Sequence, residues 1–251
     1  MKVIYEDNHI IIVAKQSGEI VQGDKTGDKT LSETVKEYLK EKYHKPGEVF
    51  LGVCHRLDRP VAGLVVFART SKALARLNRM FAEGEVHKTY WAIVGSEKSE
   101  VKSEKYDYTA TRTSHFSLLT SHFETLTHWL VRNEKQNKSY AYDREVPHSK
   151  RAQLEYRVIG RGDRYQLLEV RLLTGRHHQI RCQLAKAGMP IRGDLKYGAP
   201  RSNPDGSISL LSRRVEFVHP VSKLPIVVEA PVPADNLWQA LVSKVTYCST
   251  P

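Results

Sequence analysis

Residues 54–63 read Cys-His-Arg-Leu-Asp-Arg-Pro-Val-Ala-Gly, and residues 64–68 follow as Leu-Val-Val-Phe-Ala. The second run is typical of a buried strand, because it is apolar throughout and bounded by a turn. It places Asp58 on a loop at the edge of a hydrophobic core, between Arg56 and Arg59. A nearby positive charge favours the ionised carboxylate, and the two arginines also offer contacts for an anionic ligand. An ordinary loop salt bridge is the competing interpretation.

The bulk composition favours a nucleic-acid partner. The chain has 251 residues, enough for one large domain or two small lobes. Its 39 Lys and Arg against 28 Asp and Glu give a net charge of +11, which favours a polyanionic partner. No apolar run is long enough to span a membrane and the N-terminus lacks a signal peptide's apolar segment, so we expect no membrane partner. Three cysteines without CxxC spacing indicate a reducing cytoplasm.

Two strands and two helices are predicted around the Asp58 loop. The strands fall within residues 3–13, on either side of a polar turn. Thr30 and Glu33 form a capping-box pattern ahead of a run with helical apolar spacing. Thr70 can cap a second helix, which Gly84 would end.

The middle of the chain contains three further predicted strands and one stretch without a pattern. Residues 86–94 alternate as a strand, with Tyr90 on one face. Strands are also expected at residues 152–159 and 165–173. Residues 100–123 are rich in Ser, Thr, His and Tyr without periodicity, and we expect an insertion or partly ordered loop there.

A second informative stretch, residues 173–181, reads Leu-Thr-Gly-Arg-His-His-Gln-Ile-Arg. Thr174 can cap a helix, and Arg176 lies four residues before Ile180 on its apolar face. An arginine that points inward at a helix start requires a carboxylate partner, and Asp58 is the acid most in need of one. We therefore predict an Arg176–Asp58 pair at the floor of a pocket. A phosphate-binding arginine at a helix N-terminus is the alternative.

These segments resemble the RluA-type RNA pseudouridine synthases, in three motifs that occur in the family's order. The matching segments are His-Arg-Leu-Asp at residues 55–58 with Gly63, Lys-Thr-Tyr at 88–90, and Thr-Gly-Arg-His-His-Gln-Ile-Arg at 174–181. Val61 and Ala62 depart from the pattern, because Thr and Ser are commoner at those positions. Gly-Asp-Leu-Lys-Tyr-Gly at residues 193–198 resembles a further landmark. The similarity covers most of residues 3–241 and lapses in the middle.

The resemblance implies an α+β protein with the pseudouridine synthase fold. In this fold, helices flank a mixed, largely antiparallel central sheet with a central active-site cleft. It also implies one catalytic domain over residues 1–251, without the N-terminal RNA-binding module of many relatives. The implied activity is isomerisation of uridine to pseudouridine in tRNA or rRNA, with no cofactor and no metal. We expect a cytoplasmic monomer, and residues 58–60 favour the compact tRNA or dual-specificity members.

The family also implies roles for individual residues. Asp58 is expected to be the catalytic residue, with Arg176 holding it and Tyr90 stacking on the target base. Arg56 is a candidate to fill the gap left by a flipped base, because guanidinium groups stack on bases. The expected substrate-binding residues are His55, Arg56, Arg59, Gln179, Ile180 and Arg181.

Other classes of protein fit the sequence less well. A glycoside hydrolase requires a second acid beside Asp58, and the arginine-rich motifs contain none. A zinc site formed by Cys54, His55, His178 and Cys182 is disfavoured, since two adjacent ligands spread badly around one metal. A non-catalytic RNA-binding protein on the same scaffold is the remaining alternative.

Overall fold

The computed structural model describes residues 1–23, 27–96 and 122–245. Within them, eleven strands join one mixed sheet. The strands are β1 (Lys2–Glu6), β2 (Ile10–Lys15), β3 (Gly52–Val53), β4 (Ala62–Ala68), β5 (His87–Gly95), β6 (Glu124–Asn133), β7 (Lys138–Tyr142), β8 (Lys150–Arg161), β9 (Tyr165–Leu172), β10 (Leu210–Val218) and β11 (Pro225–Glu229). The helices are α1 (Leu31–Lys42), α2 (Ser71–Glu83), α3 (Gln179–Lys186) and α4 (Asn236–Val242), with a 3-10 helix at Leu195–Tyr197.

The sheet has the order β1-β2-β4-β10-β5-β9-β8-β6-β7, with β3 paired to β4 and β11 to β10. Every pair is antiparallel except β4 with β10, which confirms the predicted mixed, largely antiparallel α+β fold. The parallel pair is held very close at Gly63, which faces Ser212 and has a φ of +121°. A Cβ at Gly63 would collide with the Ser212 backbone, so only glycine allows this approach.

Two apolar layers cover the sheet, one on each face. On one face, α1 and α3 pack against alternate residues of β4 and β5, including Val65 and Tyr90. On the other, α2 and α4 pack against the intervening residues, including Val66 and Trp91. β4 is therefore buried on both sides, as its continuous apolar run predicts.

The predicted helix ends are confirmed on both sides of the Asp58 loop. Thr30 accepts from the Glu33 backbone N–H at 3.1 Å, and the Glu33 carboxylate accepts from the Thr30 backbone at 2.7 Å. Thr70 caps α2, and Gly84 ends it in the left-handed conformation. These local signals are strong because each satisfies backbone groups that the helix leaves unpaired.

The predicted insertion at residues 100–123 lies outside the described residues, apart from its last two positions. In the described part of the chain, no helix combines the length and apolar character needed to cross a membrane.

Candidate active site

Asp58 lies on the loop between β3 and β4, and two apolar neighbours fix its direction. Leu57 and Val61 are 7% and 3% exposed, and both pack into the core layer under α1 and α3. The Val61 backbone N–H donates to the Asp58 carbonyl at 3.0 Å and closes a turn between them. With both neighbours anchored, the half-buried Asp58 side chain faces a cleft beside α3.

Lys15, the last residue of β2, holds the same loop from the core side. It is 1% exposed, and its ammonium group donates to the carbonyls of Gln16, Arg59 and Val61 at 3.0, 3.1 and 2.6 Å. Burial lowers the pKa of Lys15 to about 8. The position of the Asp58 loop therefore depends on β2 as well as on β4.

Arg181 of α3 links Asp58 to a second carboxylate, Asp194. Its Nη1 donates to Asp58 Oδ2 at 3.0 Å, while its Nε and Nη2 donate to Asp194 Oδ2 and Oδ1 at 2.7 and 2.8 Å. The Arg181 and Asp194 side chains are 6% and 1% exposed. Burial lowers the pKa of Arg181, but the hydrogen bonds and charge of Asp194, together with Asp58, outweigh burial and raise it. Arg181 thus gives Asp58 a fixed positive neighbour.

The predicted Arg176–Asp58 pair is wrong, because Arg176 is not part of the helix. α3 begins at Gln179, and Arg176 is an exposed residue of the preceding loop. Its Nε donates to the carbonyl of Arg151 at 3.1 Å. Arg176 still lines the cleft, but at its mouth rather than at its floor.

The helix starts later than predicted because Thr174 does not cap it. The Thr174 hydroxyl donates to Gln179 Oε1 at 2.9 Å, and the same oxygen accepts from the Arg176 backbone N–H at 2.9 Å. The Gln179 amide nitrogen donates to the Gln153 carbonyl at 3.0 Å. These bonds close a loop ahead of the helix, so Arg181 is the arginine that points inward.

The cleft brings together most of the predicted site residues. Tyr90 and Ile180 form its apolar part and are 6% and 5% exposed. Burial raises the pKa of Tyr90 to about 12, so its hydroxyl is protonated at neutral pH. The predicted residues that line the cleft are Arg56, Asp58, Tyr90, Arg176, Gln179, Ile180 and Arg181. This arrangement can hold a flat ring against Tyr90 and the group attached to that ring beside Asp58.

His55 and Arg59 do not line this cleft, although both were predicted to bind substrate. His55 Nε2 accepts from the Val66 backbone N–H at 3.0 Å, and its ring centre is 4.8 Å from that of Phe81. Arg59 Nη1 donates to Asp28 Oδ2 at 2.7 Å. The structure therefore gives both side chains contacts that stabilise the protein away from the cleft.

A larger cavity, of about 480 Å³, contains none of the predicted site residues. It is lined by the ends of β2 and β4 and by residues 231–235. Arg192 and the exposed Asp205 and Asp235 are among its charged groups, which are of mixed sign. Its size alone does not make it an active site, because a site is recognised by the chemistry of its residues.

Three side chains of the site were not predicted. His178 Nε2 lies 3.3 Å from Asp58 Oδ2, and the Tyr197 hydroxyl lies 3.0 Å from His178 Nδ1. Asp194 and Tyr197 come from residues 193–198, a segment for which the sequence suggested no role. The need of a buried arginine for a carboxylate points to Asp194 once Arg181 is known to be buried. No sequence pattern relates Tyr197 to His178.

The side chains considered for zinc are divided between two elements. Cys54 and His55 lie on the β3–β4 loop, whereas Cys182 is buried in α3 with its Sγ 3.2 Å from the Ser139 carbonyl. Among residues 1–23, 27–96 and 122–245, no three His, Cys, Asp or Glu side chains are grouped so that they could hold a metal ion.

The half-buried His55 and the buried His178 should make the fold sensitive to acid. Burial lowers the pKa of His55 to about 3 and that of His178 to about 2, whereas both titrate near 6.5 in the unfolded chain. Below that value the unfolded chain binds protons that the folded protein does not, so stability falls as the pH falls. From about pH 7.5 to about pH 5.5, we expect each histidine to lower the free energy of unfolding by about 1 kcal/mol.

Denaturant unfolding at a series of pH values measures this loss. His55→Gln keeps an acceptor for the Val66 N–H but removes the titrating ring, and it should remove about half of the expected fall. His87→Gln, at an exposed position of β5, is the matched control for the loss of a histidine away from the core. An unaltered pH dependence in His55→Gln would contradict the assignment.

Comparison with known proteins matches the chain to one family. A family model described as RNA pseudouridylate synthase matches residues 9–186, a segment that contains Asp58, Tyr90 and Arg181. A Vibrio cholerae protein named ribosomal large subunit pseudouridine synthase C is 28% identical over 95% of this chain and 68% of its own length. A Xylella fastidiosa protein named ribosomal large subunit pseudouridine synthase D is 30% identical over 94% of this chain and 67% of its own length.

The fold agrees with these sequence matches. The solved structure of human RNA pseudouridylate synthase domain containing 4 superposes with a TM-score of 0.71, covering 97% of this chain and 92% of that one. At 18% identity, this likeness bears on the fold alone. The predicted pseudouridine synthase fold is confirmed. The family model spans most of the chain, and the protein therefore belongs to the RNA pseudouridylate synthase family, as an isomerase that converts uridine in RNA to pseudouridine.

Proposed function

We propose that Asp58 is the carboxylate with which this pseudouridine synthase carries out its reaction. The observation that carries the proposal is that Asp58 is the one acid among the described residues that line the cleft. Its Oδ2 accepts from the Arg181 guanidinium at 3.0 Å, and its side chain is 29% exposed. Because the carboxylate is partly exposed, an RNA ligand can reach it without first breaking its pair with Arg181.

The chemistry requires one ionised carboxylate and a site that excludes water. The N1–C1′ bond of uridine breaks, the uracil turns and C5 bonds to C1′. The hydrogen on C5 leaves as a proton to solvent and N1 takes up a proton, so that the product is an isomer of uridine. Water must be kept out so that the fragments recombine rather than hydrolyse. Asp58 acts at the ribose, either by attack on C1′ or by removal of a ribose proton.

The other cleft residues receive and orient the base. The target uridine must leave its stack to enter the site. Tyr90 and Ile180 provide an apolar surface on which the uracil ring rests, and Arg181 holds Asp58 in the place that Arg176 was expected to take. Arg56 and Arg176 are exposed at the mouth, where their charges suit the RNA backbone and their planes suit an exposed base.

We further propose that the substrate is ribosomal RNA. Support comes from the printed names of similar proteins from Vibrio cholerae and Xylella fastidiosa, which refer to the ribosomal large subunit. This proposal departs from the expectation, drawn from residues 58–60, that the protein leans toward tRNA. The net charge of +11 suits either RNA and does not discriminate between them.

The remaining expectations concern organisation and location. That all described strands join one sheet supports a single catalytic domain. A cytoplasmic location is proposed on the basis of the free Cys54 and Cys182 thiols, which suit a reducing compartment. That the protein is a monomer stays a prediction.

Release of tritium from RNA that carries 5-tritiated uridine tests the proposal, because formation of the C5–C1′ bond expels that hydrogen. Unmodified large-subunit ribosomal RNA and unmodified tRNA are assayed separately with the wild-type protein. Release from ribosomal RNA is the expected result. Release from tRNA alone would overturn the proposed substrate, and no release from either RNA would overturn the proposed catalytic site.

A further inference from the structure

We propose that His178 and Tyr197 are positioning residues, which hold one oxygen of Asp58 so that the other faces the substrate. The inference rests on the proposed role of Asp58 and extends it to two side chains that do not themselves react. Its basis is a chain of contacts that runs from β7 through Tyr197 and His178 to the carboxylate.

His178 is held rigidly at the start of α3. It is 8% exposed, and its backbone is left-handed with φ 50° and ψ 28°, which is uncommon for a residue other than glycine. Its ring stacks on the ring of His177, with centres 3.8 Å apart and planes 19° apart. A strained backbone of this kind persists only where its surroundings hold it.

The Tyr197 hydroxyl is the partner of His178 Nδ1. It accepts from the Ser139 backbone N–H at 2.8 Å and lies 3.0 Å from Nδ1, and we assign its own proton to that contact. Burial raises the pKa of Tyr197, so that proton is present. A neutral imidazole with Nδ1 as acceptor carries its hydrogen on Nε2.

His178 Nε2 lies beside Asp58. The distance from Nε2 to Oδ2 is 3.3 Å, a contact outside hydrogen-bond geometry in the free protein, of the kind that tightens when substrate binds. Burial lowers the pKa of His178 to about 2, and the charges of Arg181, His177, Lys196 and Arg132 act in the same direction. The ring is therefore neutral, and with its hydrogen on Nε2 it can donate to Asp58 Oδ2 once the 3.3 Å contact shortens.

Both donors meet the same oxygen of Asp58. Arg181 Nη1 lies 3.0 Å from Oδ2, and His178 Nε2 approaches that atom as well. Within the described residues no donor reaches Oδ1. The carboxylate is thus fixed at one oxygen, and Oδ1 is left for the ribose.

One short segment orients both donors. Asp194 holds Arg181 through two hydrogen bonds, and three residues later Tyr197 holds His178. The Tyr197 ring also lies under the Arg181 guanidinium, 5.1 Å from its centre. Residues 193–198 therefore act on Asp58 through two side chains, Arg181 and His178, although none of residues 193–198 lines the cleft.

Ser139 of β7 anchors the chain of contacts at its far end. It is 2% exposed, and its backbone N–H binds Tyr197. Its hydroxyl lies 2.9 Å from His177 Nδ1 and 2.8 Å from the His177 carbonyl. With its neighbours held to one strand of the sheet, the His178 ring has little freedom to turn away from Asp58.

The test compares His178→Leu, which removes the donor, with His178→Gln, whose amide nitrogen can take the place of Nε2. Single-turnover tritium release should fall about 100-fold in His178→Leu, because a displaced catalytic group costs about that much. His178→Gln should release tritium at least about tenfold faster than His178→Leu, as expected when donor geometry is the cause. The dissociation constant for RNA should stay within about threefold of wild type in both, since phosphate contacts dominate affinity.

Tyr197→Phe tests the contact between the Tyr197 hydroxyl and His178 Nδ1. Tyr140→Phe, on the exposed face of β7, is the matched control. Nitrogen-15 NMR of the His178 ring should show the Nε2–H tautomer in wild type and in the control. Tyr197→Phe should lose that single tautomer and release tritium about tenfold more slowly.

Equal impairment of His178→Leu and His178→Gln would overturn the inference, since volume rather than donation would then matter. Wild-type rates in His178→Leu would overturn it also. In either case, release by wild type together with silence of Asp58→Asn would leave the proposed function standing. If wild type itself releases no tritium, the proposed function fails first.

Discussion

Replacing Asp58 by Asn removes tritium release and leaves RNA binding in place. The amide matches the carboxylate in size, and its oxygen can still accept from Arg181 Nη1 and His178 Nε2. It has no negative charge to act at the ribose, so the single-turnover rate should fall by at least about 1,000-fold. The loop should keep its place, because Leu57, Val61 and the Lys15 contacts do not involve the carboxylate.

Two measurements separate catalysis from binding in this variant. Filter binding with the unmodified RNA should give a dissociation constant within about threefold of wild type, since phosphate contacts dominate affinity. Asp163→Asn, at an exposed position in the turn between β8 and β9, makes the same change of charge and should release tritium at the wild-type rate. Release by Asp58→Asn comparable to that of wild type would remove Asp58 from the reaction.

Replacing Arg181 by Met should lower both the free energy of unfolding and the activity of the protein. The Asp194 side chain is 1% exposed and would lose both of the guanidinium nitrogens that it now binds. An uncompensated buried charge of this kind costs about 3–5 kcal/mol in the free energy of unfolding. Asp58 would lose its donor at the same time, so tritium release should fall even at temperatures where the variant is folded.

Denaturant unfolding of a set of variants separates the two effects. The double variant Arg181→Met/Asp194→Leu removes both buried charges and should recover most of the stability but none of the activity. Arg176→Met is the matched control, because Arg176 lines the same cleft but is exposed, and its stability should stay within about 0.5 kcal/mol of wild type. If Arg176→Met were the less stable of the two single variants, the pairing deduced from the structure would be wrong.

The sequence reveals those parts of the fold that depend on near neighbours in the chain. The apolar run of β4, the alternation that places Tyr90 on one face of β5, and the Thr30 capping box all follow from local periodicity and local hydrogen bonds. Asp58 could be singled out for the same reason, since it directly precedes a buried strand. The motifs that resemble the family then gave the activity, which no single residue could.

The part that could not be predicted depends on contacts between distant segments. Asp58 and Arg181 are 123 residues apart, and the choice between Arg176 and Arg181 turned on where α3 begins. That start is set by Gln179, whose side chain donates to the carbonyl of Gln153 on β8. Lys15 is a similar case. Its ammonium group binds the carbonyls of Arg59 and Val61, which are 44 and 46 residues away, and the apolar sequence of β2 does not indicate that this group is buried.

The place of β10 in the sheet has a consequence for the nascent chain. β10 lies between β4 and β5, yet it is made after both of them, when residues 96–209 have also been added. At the usual speed of translation, this leaves the β10-facing edge of each strand without its partner for on the order of ten seconds. β4 is apolar throughout and residues 90–94 of β5 are buried, and open apolar edges pair readily with other chains. The growing polypeptide should therefore need a chaperone until residue 218 has left the ribosome, and a fragment that stops before β10 should aggregate rather than fold.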